Sequence, residues 1–263
     1  MEIAGYIASI LIGISLGMVG SGGSILTVPV LVYLFGIDPL LATTSSLFIV
    51  GTTSLVGGIR SYLKGVVDFR AVTEFGFPSI LSIFITRHYI LPVIPDVLYR
   101  GDGMVITSGM VLMMVFAVLM LAASISMIFN HREQTDQTQA SKRHQPLPLI
   151  IFGLLIGLVT GLLGAGGGFL IIPTLVIFLR LPMKKAVGTS LLIVAINSLF
   201  GFLFSLRQFS YDWTLILTFT GLAITGLYIG SRLAEKVPAQ SLKKGFGFFI
   251  LLMAVAILVQ EAL

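Results

Sequence analysis

Cysteine is absent from this chain and charge is scarce, with Asp, Glu, Lys and Arg making up 10% of its 263 residues. Without a thiol there is no disulfide, no thiolate metal site and no Cys nucleophile. A soluble domain carries about 25% charged residues. A chain that is 56% hydrophobic, with a mean hydropathy of +1.05, therefore belongs in a bilayer. Its apolar runs have the length of helices and not the weak alternation of an outer-membrane barrel. Catalytic signatures are missing too: there is no HExxH, no GxSxG, and no P-loop lysine after the glycine-rich runs. His88, His131 and His144 show no metal-ligand spacing, so neither a metal nor a cofactor is expected and an enzyme is disfavoured. The net charge of +5 does not point to nucleic acid, because the basic residues sit in short loops between apolar runs, where they report topology. Met1-Glu2-Ile3 lacks the positive region of a cleavable signal peptide, so the first apolar run is expected to belong to the mature protein.

Glycine, by contrast, is plentiful, and it recurs in two copies of one pattern. The first is Gly13-x3-Gly17-x2-Gly20-Ser21-Gly22-Gly23-Ser24-x4-Pro29. The second, 144 positions later, is Gly157-x3-Gly161-x2-Gly164-Ala165-Gly166-Gly167-Gly168-x4-Pro173. The alignment continues without a gap: Ala42 matches Ala186, Ser46-Leu47 matches Ser190-Leu191, Ser54 matches Ser198, Gly57 matches Gly201 and Asp68 matches Asp212. The chain is an internal duplication.

Polar breaks divide each half into five apolar runs. They are Ile3–Val19, Ile25–Gly36, Leu40–Ile59, Ala71–Leu91 and Met104–Phe129, then Leu147–Leu163, Phe169–Leu179, Ala186–Leu206, Trp213–Gly230 and Gly245–Val259. The expected domains are residues 1–129, a polar linker at 130–146, and residues 147–263. An odd number of segments gives the halves opposite orientations. On that count 13 of the 16 basic residues collect on one face, whereas fusing each glycine-bearing run into one crossing, for eight helices, leaves them almost evenly split. Positive residues concentrate on the cytoplasmic side. The pattern therefore predicts an all-α integral membrane protein built as an inverted repeat, with a cytoplasmic linker and both termini on the other side. The runs after each glycine cluster have only about a dozen residues, short of the ~20 a crossing needs. Each glycine pair is either two crossings or a broken, re-entrant hairpin, with the balance toward the hairpin.

Unpaired backbone in hydrocarbon is tolerated only where it lines a protein-buried or wet cavity. Gly20, Ser21, Gly22, Gly23 and Ser24, and Gly164, Ala165, Gly166, Gly167 and Gly168, are poor helix formers between helical runs. Each cluster precedes a helix N-terminus, whose free N–H groups and partial positive charge suit an anion. Transporters with inverted repeats place substrate where such discontinuous helices meet. Helix packing is the competing explanation, and it fits best at Gly13, Gly17, Gly153, Gly157, Gly161, Gly226 and Gly230, which have small-xxx-small spacing. The hydroxyls of Thr43, Thr44, Ser45, Ser46, Thr189 and Ser190 open the third run of each half. They either donate to an oxyanion or bond back to their own helix.

Asn197, deep in an apolar run, is a cavity residue or interhelical glue. Glu74 and His88 are the candidates for a coupling proton, although groups near the ends of a run can reach the interface. Arg87 also stands at a run's end, and Arg60 and Lys64 read as topology charges. Asp68 and Asp212 precede Phe69 and Trp213, which suggests N-caps followed by interfacial aromatic anchors.

At the glycine motif Gly164–Gly168 with Pro173, at Gly188-Thr189-Ser190-Leu191 and at Tyr211-Asp212-Trp213, the chain resembles the TauE/SafE sulfite exporter family of membrane permeases. The resemblance covers nearly the whole chain outside the linker. The first copy departs from the pattern, with Ser24 for the last glycine, Thr44 where Gly188 stands and Phe69 for the tryptophan. The resemblance implies a secondary transporter in the bacterial inner membrane, with a small anionic substrate such as sulfite or an organosulfonate like sulfoacetate. The donors alone would equally suit a carboxylate or phosphate, and a channel for the same anion is the nearest alternative. A scaffold or an intramembrane enzyme is the alternative of another class.

Overall fold

Glycine, proline and aspartate set where the apolar runs begin and stop being helices. The computed structural model describes residues 2–95, 97–101, 104–129, 146–234 and 239–262. The first half comprises α1 (Glu2–Val19), a 3-10 turn (Ser21–Leu26), α2 (Thr27–Phe35), α3 (Pro39–Leu63), α4 (Phe69–Ile85), a π turn (Thr86–Ile90), the strands β1 (Val97–Gly101) and β2 (Met104–Thr107), and α5 (Ser108–Phe129). The second comprises α6 (Pro146–Leu163), α7 (Gly168–Phe178), α8 (Met183–Ser205), α9 (Trp213–Leu233) and α10 (Ala239–Ala262). This is an all-α membrane protein with five helices from each half among the described residues. The polar linker at 130–146 falls, apart from Pro146, outside the described residues.

Three aspartates start helices. Asp38 accepts from the Leu40 and Leu41 amides ahead of Pro39, Asp68 from the Ala71 amide, and Asp212 from the Leu215 amide at 3.1 Å. Asp212→Ala is expected to cost about 1 kcal/mol, read as a lowered melting temperature of the detergent-purified protein. An unchanged melting temperature would show the cap to be idle.

The glycine-bearing pairs are hairpins. α2 has 9 residues and α7 has 11, about 14 and 16 Å of helix, too short to cross a bilayer. The end of α2 returns to the start of α1, where Phe35 lies over Gly5 and its ring centroid is 5.4 Å from that of Tyr6. In the same way Phe178 of α7 packs on Phe152 of α6, with ring centroids 4.8 Å apart. This removes the eight-helix reading, because neither glycine run passes straight through.

Packing between the halves shows their relation. α3 and its counterpart α8 lie against each other with Gly57 beside Leu191 and Gly201 beside Leu47, so they run antiparallel. Each of those contacts becomes the other when 144 is added to one half and subtracted from the other. α1 lies parallel to α9, with Gly13 on Ala223 and Gly17 on Leu227. Its counterpart α6 lies parallel to α4, with Gly153 on Phe75 and Gly157 on Ser79. Such reciprocity is the mark of a two-fold axis, and antiparallel counterparts make the repeat inverted. The outer faces carry apolar stripes at matching places, Ile3, Ile7 and Leu11 on α1 and Leu147, Ile151 and Leu155 on α6, all exposed. Exposed apolar stripes of this length suit lipid.

One run departs from expectation. Met104–Phe129 does not begin as helix: Met104–Thr107 pairs antiparallel with Val97–Gly101, and α5 starts at Ser108. Asp102-Gly103, between two short apolar runs, was the local sequence signal for a tight hairpin.

Candidate functional site

The tips of the two hairpins lie side by side in the interior. At the first, Gly20 takes φ +78° and the chain tightens into the 3-10 turn. At the second, Gly164, Gly166 and Gly167 have φ of +68°, +67° and +65°, a left-handed backbone that L side chains rarely adopt. Ser21 and Gly168 touch so closely that no Cβ fits at Gly168. The Ser21 hydroxyl donates to the Gly168 carbonyl at 3.2 Å or to Ser190 Oγ at 2.9 Å, and Ser24 donates to the Ala165 carbonyl at 2.5 Å. Ser21 and Ala165 are repeat counterparts, as are Ser24 and Gly168, so the two-fold axis passes between the breaks. Ser46 closes the far side, donating to the Gly164 carbonyl at 3.0 Å.

Serine hydroxyls thus occupy the carbonyls of Gly164, Ala165 and Gly168. The Leu170 and Ile171 amides are taken by the Gly167 carbonyl. Around the tips stand buried hydroxyls that have no hydrogen-bond partner among the described residues: Ser15, Thr160 and Ser198. A Cβ on Gly23 would lie 2.8 Å from Ser15 Oγ, and one on Gly166 would lie 3.0 Å from Ser198 Oγ and 2.9 Å from the side chains of Val50 and Val194. Thr160 lies against Gly167 in the same way.

Of the residues singled out from sequence, Gly20, Ser21, Gly22, Gly23, Ser24, Ser46, Gly164, Ala165, Gly166, Gly167, Gly168 and Ser190 come together at or beside the breaks. Four stand elsewhere. Thr189 accepts the Asp68 amide at 2.9 Å and braces the loop before α4. Asn197 donates to Ser79 at 2.7 Å, joining α8 to α4, while its Oδ1 has no partner among the described residues. Ser45 is buried but enters none of the hydrogen bonds that tie the breaks. Thr44 bonds back to the Leu40 carbonyl at 3.2 Å, and its oxygen also accepts from Arg87. Glu74 is engaged by Arg70 at 2.8 Å, and His88 is exposed and stacked on Phe84. A hollow of about 560 Å³, lined by Val72, Phe77, Ile80 and Ile196 among others, opens between α4 and α8 and includes no residue of either break.

A sequence profile described as "Sulfite exporter TauE/SafE" matches residues 6–257, nearly the whole chain. The chain belongs to the TauE/SafE sulfite exporter family. A probable membrane transporter protein of Xylella fastidiosa (strain 9a5c) is 30% identical over 251 residues, covering 94% of this chain and 91% of the relative. One from Haemophilus influenzae is 27% identical, covering 93% of each. Another, from Bacillus subtilis, is 26% identical, covering 89% of this chain and 90% of the relative. No solved structure matches the chain. This TauE/SafE protein is therefore a multi-pass membrane transporter.

Sequence reading of the TauE/SafE chain missed four residues beside the breaks: Arg87, Ser15, Thr160 and Ser198. Ser198 had a signal, since it matches Ser54 in the repeat. Ser15 and Thr160 align with Val159 and Leu16, so the repeat does not mark them. Arg87 was visible only as a basic residue at a run's end.

Proposed function

We propose that this protein is a secondary transporter that moves a small sulfur oxyanion, sulfite or an organosulfonate such as sulfoacetate, outward across the bacterial inner membrane. The observation that carries the reading is the crossing of two broken helices from inverted halves, ringed by buried hydroxyls without partners among the described residues. Buried polar groups are almost always hydrogen-bonded, so these donors suit a polar guest. The carbonyls that would repel an anion are already covered by Ser21, Ser24 and Ser46. That leaves hydroxyl hydrogens and the start of α7, where the Gly168 amide lies at a helix N-terminus, as the chemistry on offer. The family description supplies the sulfur, and it supplies the outward direction. The basic loops support a cytoplasmic linker with both termini outside. Relative movement of the inverted halves would expose the tips to each side in turn.

Counterflow in proteoliposomes tests this. Vesicles loaded with unlabelled sulfite are expected to accumulate labelled sulfite transiently and saturably, with competition from sulfoacetate. Flux that is linear in concentration and shows no counterflow would favour a channel. No flux of any anion would sink the transport of anions by this site.

A further inference from the structure

Arg87 is the one fully buried charged side chain among the described residues. A guanidinium taken from water without a counter-charge costs several kcal/mol, and intramembrane charges are retained chiefly where they act on a substrate path or a partner. No described carboxylate pairs with Arg87. Its Nη1 donates to Thr44 at 2.7 Å and its Nη2 to Thr43 at 3.3 Å, while Nε has no hydrogen-bond partner among the described residues. Tyr211 is within electrostatic reach, but burial pushes that phenol up to about 12, so it stays neutral and cannot compensate. A guanidinium has five N–H donors in a flat fork, and the edge that includes Nε is the one that grips two oxygens of an oxyanion at once.

The backbone around Arg87 is shaped to hold it. It sits on the π turn, a form enriched at functional sites. Pro92, five residues on, has no N–H to give the Arg87 carbonyl, and Gln208 supplies that bond at 3.3 Å. The neighbouring Thr86 packs on Gly161, and the Thr43 carbonyl packs on Gly164. The guanidinium is therefore held one layer of side chains from the tip of the second hairpin.

The repeat adds an independent argument. The counterpart of Arg87 is Ser231, which packs on Gly17 near the first tip, and Arg60 of α3 donates to the Ser231 hydroxyl. The counterpart of Arg60 is Phe204. A cation thus stands at the matching place of each tip although it comes from a different helix, so the charge is kept where the residue is not.

We propose that Arg87 is the fixed cation that grips the transported oxyanion at the second hairpin tip, with Arg60 holding the equivalent place at the first. This rests on the anion-transport reading above. Because Arg87 is enclosed, the anion reaches it when the Gly164 tip moves off Thr43. The anion then replaces the threonine hydroxyls as partner of the fork.

Two measurements on purified wild type, R87Q and R87K test it: sulfite counterflow, and the rise in melting temperature produced by sulfite in detergent. R87Q is expected to fold at least as stably as wild type, since an uncompensated buried cation has gone. It should nevertheless lose the sulfite-induced rise and at least 90% of counterflow. R87K keeps the charge without the fork and should need at least tenfold more sulfite for half-saturation. Wild-type counterflow retained by R87Q would overturn the proposal, as would a destabilised R87Q that is still stabilised by sulfite. Should R87Q not fold, R87K decides, because an unchanged half-saturation overturns the proposal. A wild-type protein that neither exchanges nor is stabilised by sulfite, sulfoacetate or phosphate overturns the anion-transport reading, and this proposal with it.

Discussion

Gly164→Ala is expected to abolish anion exchange and to lower the melting temperature of the detergent-purified protein by roughly 5–15 °C. Two costs add at this position. The backbone has φ +68°, where a side chain costs roughly 1–2 kcal/mol. A Cβ would also run into the Thr43 carbonyl, and overpacking against a fixed backbone costs about 1–3 kcal/mol. The second cost is the informative one, since relief comes only by pushing the tip away from α3. That would break the Ser46 hydrogen bond to the Gly164 carbonyl. Gly36 separates the two costs. It has φ +67° at the end of α2, but a Cβ there would meet nothing within 4 Å. Gly36→Ala should therefore show the conformational cost alone and retain transport. If both variants transport normally and melt alike, the contact between tip and α3 has no functional weight.

Much of the architecture could be read from the chain because the duplication and the lipid both constrain it. Lipid fixes the length of helices, and counterparts 144 residues apart share their caps, as Asp68 and Asp212 show. The shortness of the runs after each glycine cluster already favoured hairpins; Phe35 on Gly5 and Phe178 on Phe152 show that each run turns back, and the 9 and 11 residues of α2 and α7 keep the balance with the hairpin. Repeat symmetry misleads where one position does different work in each half. Thr189 aligns with Ser45, yet it holds the Asp68 amide of the other half. Arg87 was beyond sequence reading for a different reason. Its significance lies in Thr43 and Thr44, more than forty residues earlier, closing over it, and in the lack of a described carboxylate partner. Local pattern carries neither fact. Of the two roles open to the α3 hydroxyls, Thr43 and Thr44 take the bond back to the Leu40 carbonyl, and both oxygens also accept from Arg87, a contact that neither role foresaw.

Glycines that serve packing should answer differently from those at the tips. Gly226→Leu is expected to leave little monodisperse protein after detergent extraction. Gly221→Leu, less than two turns away on α9, should stay within about 0.5 kcal/mol of wild type. The contrast follows from what each would meet. A Cβ on Gly226 would strike the Ile10 carbonyl and lie 3.1 Å from the Gly13 Cα, whereas Gly221 has nothing within 4 Å. Gly13 in turn abuts the Ala223 carbonyl, so backbone faces backbone on both helices and neither has a flexible side chain to yield. In lipid such close approach is itself the attraction, because apolar side chains gain little by leaving one hydrocarbon for another. A leucine would prise α1 from α9 and draw the first hairpin away from Gly168. Loss of folded protein, and not loss of transport by a well-folded carrier, is the expected phenotype. A Gly226→Leu protein that melts like wild type would show that α1 and α9 are held by something other than their glycine contact.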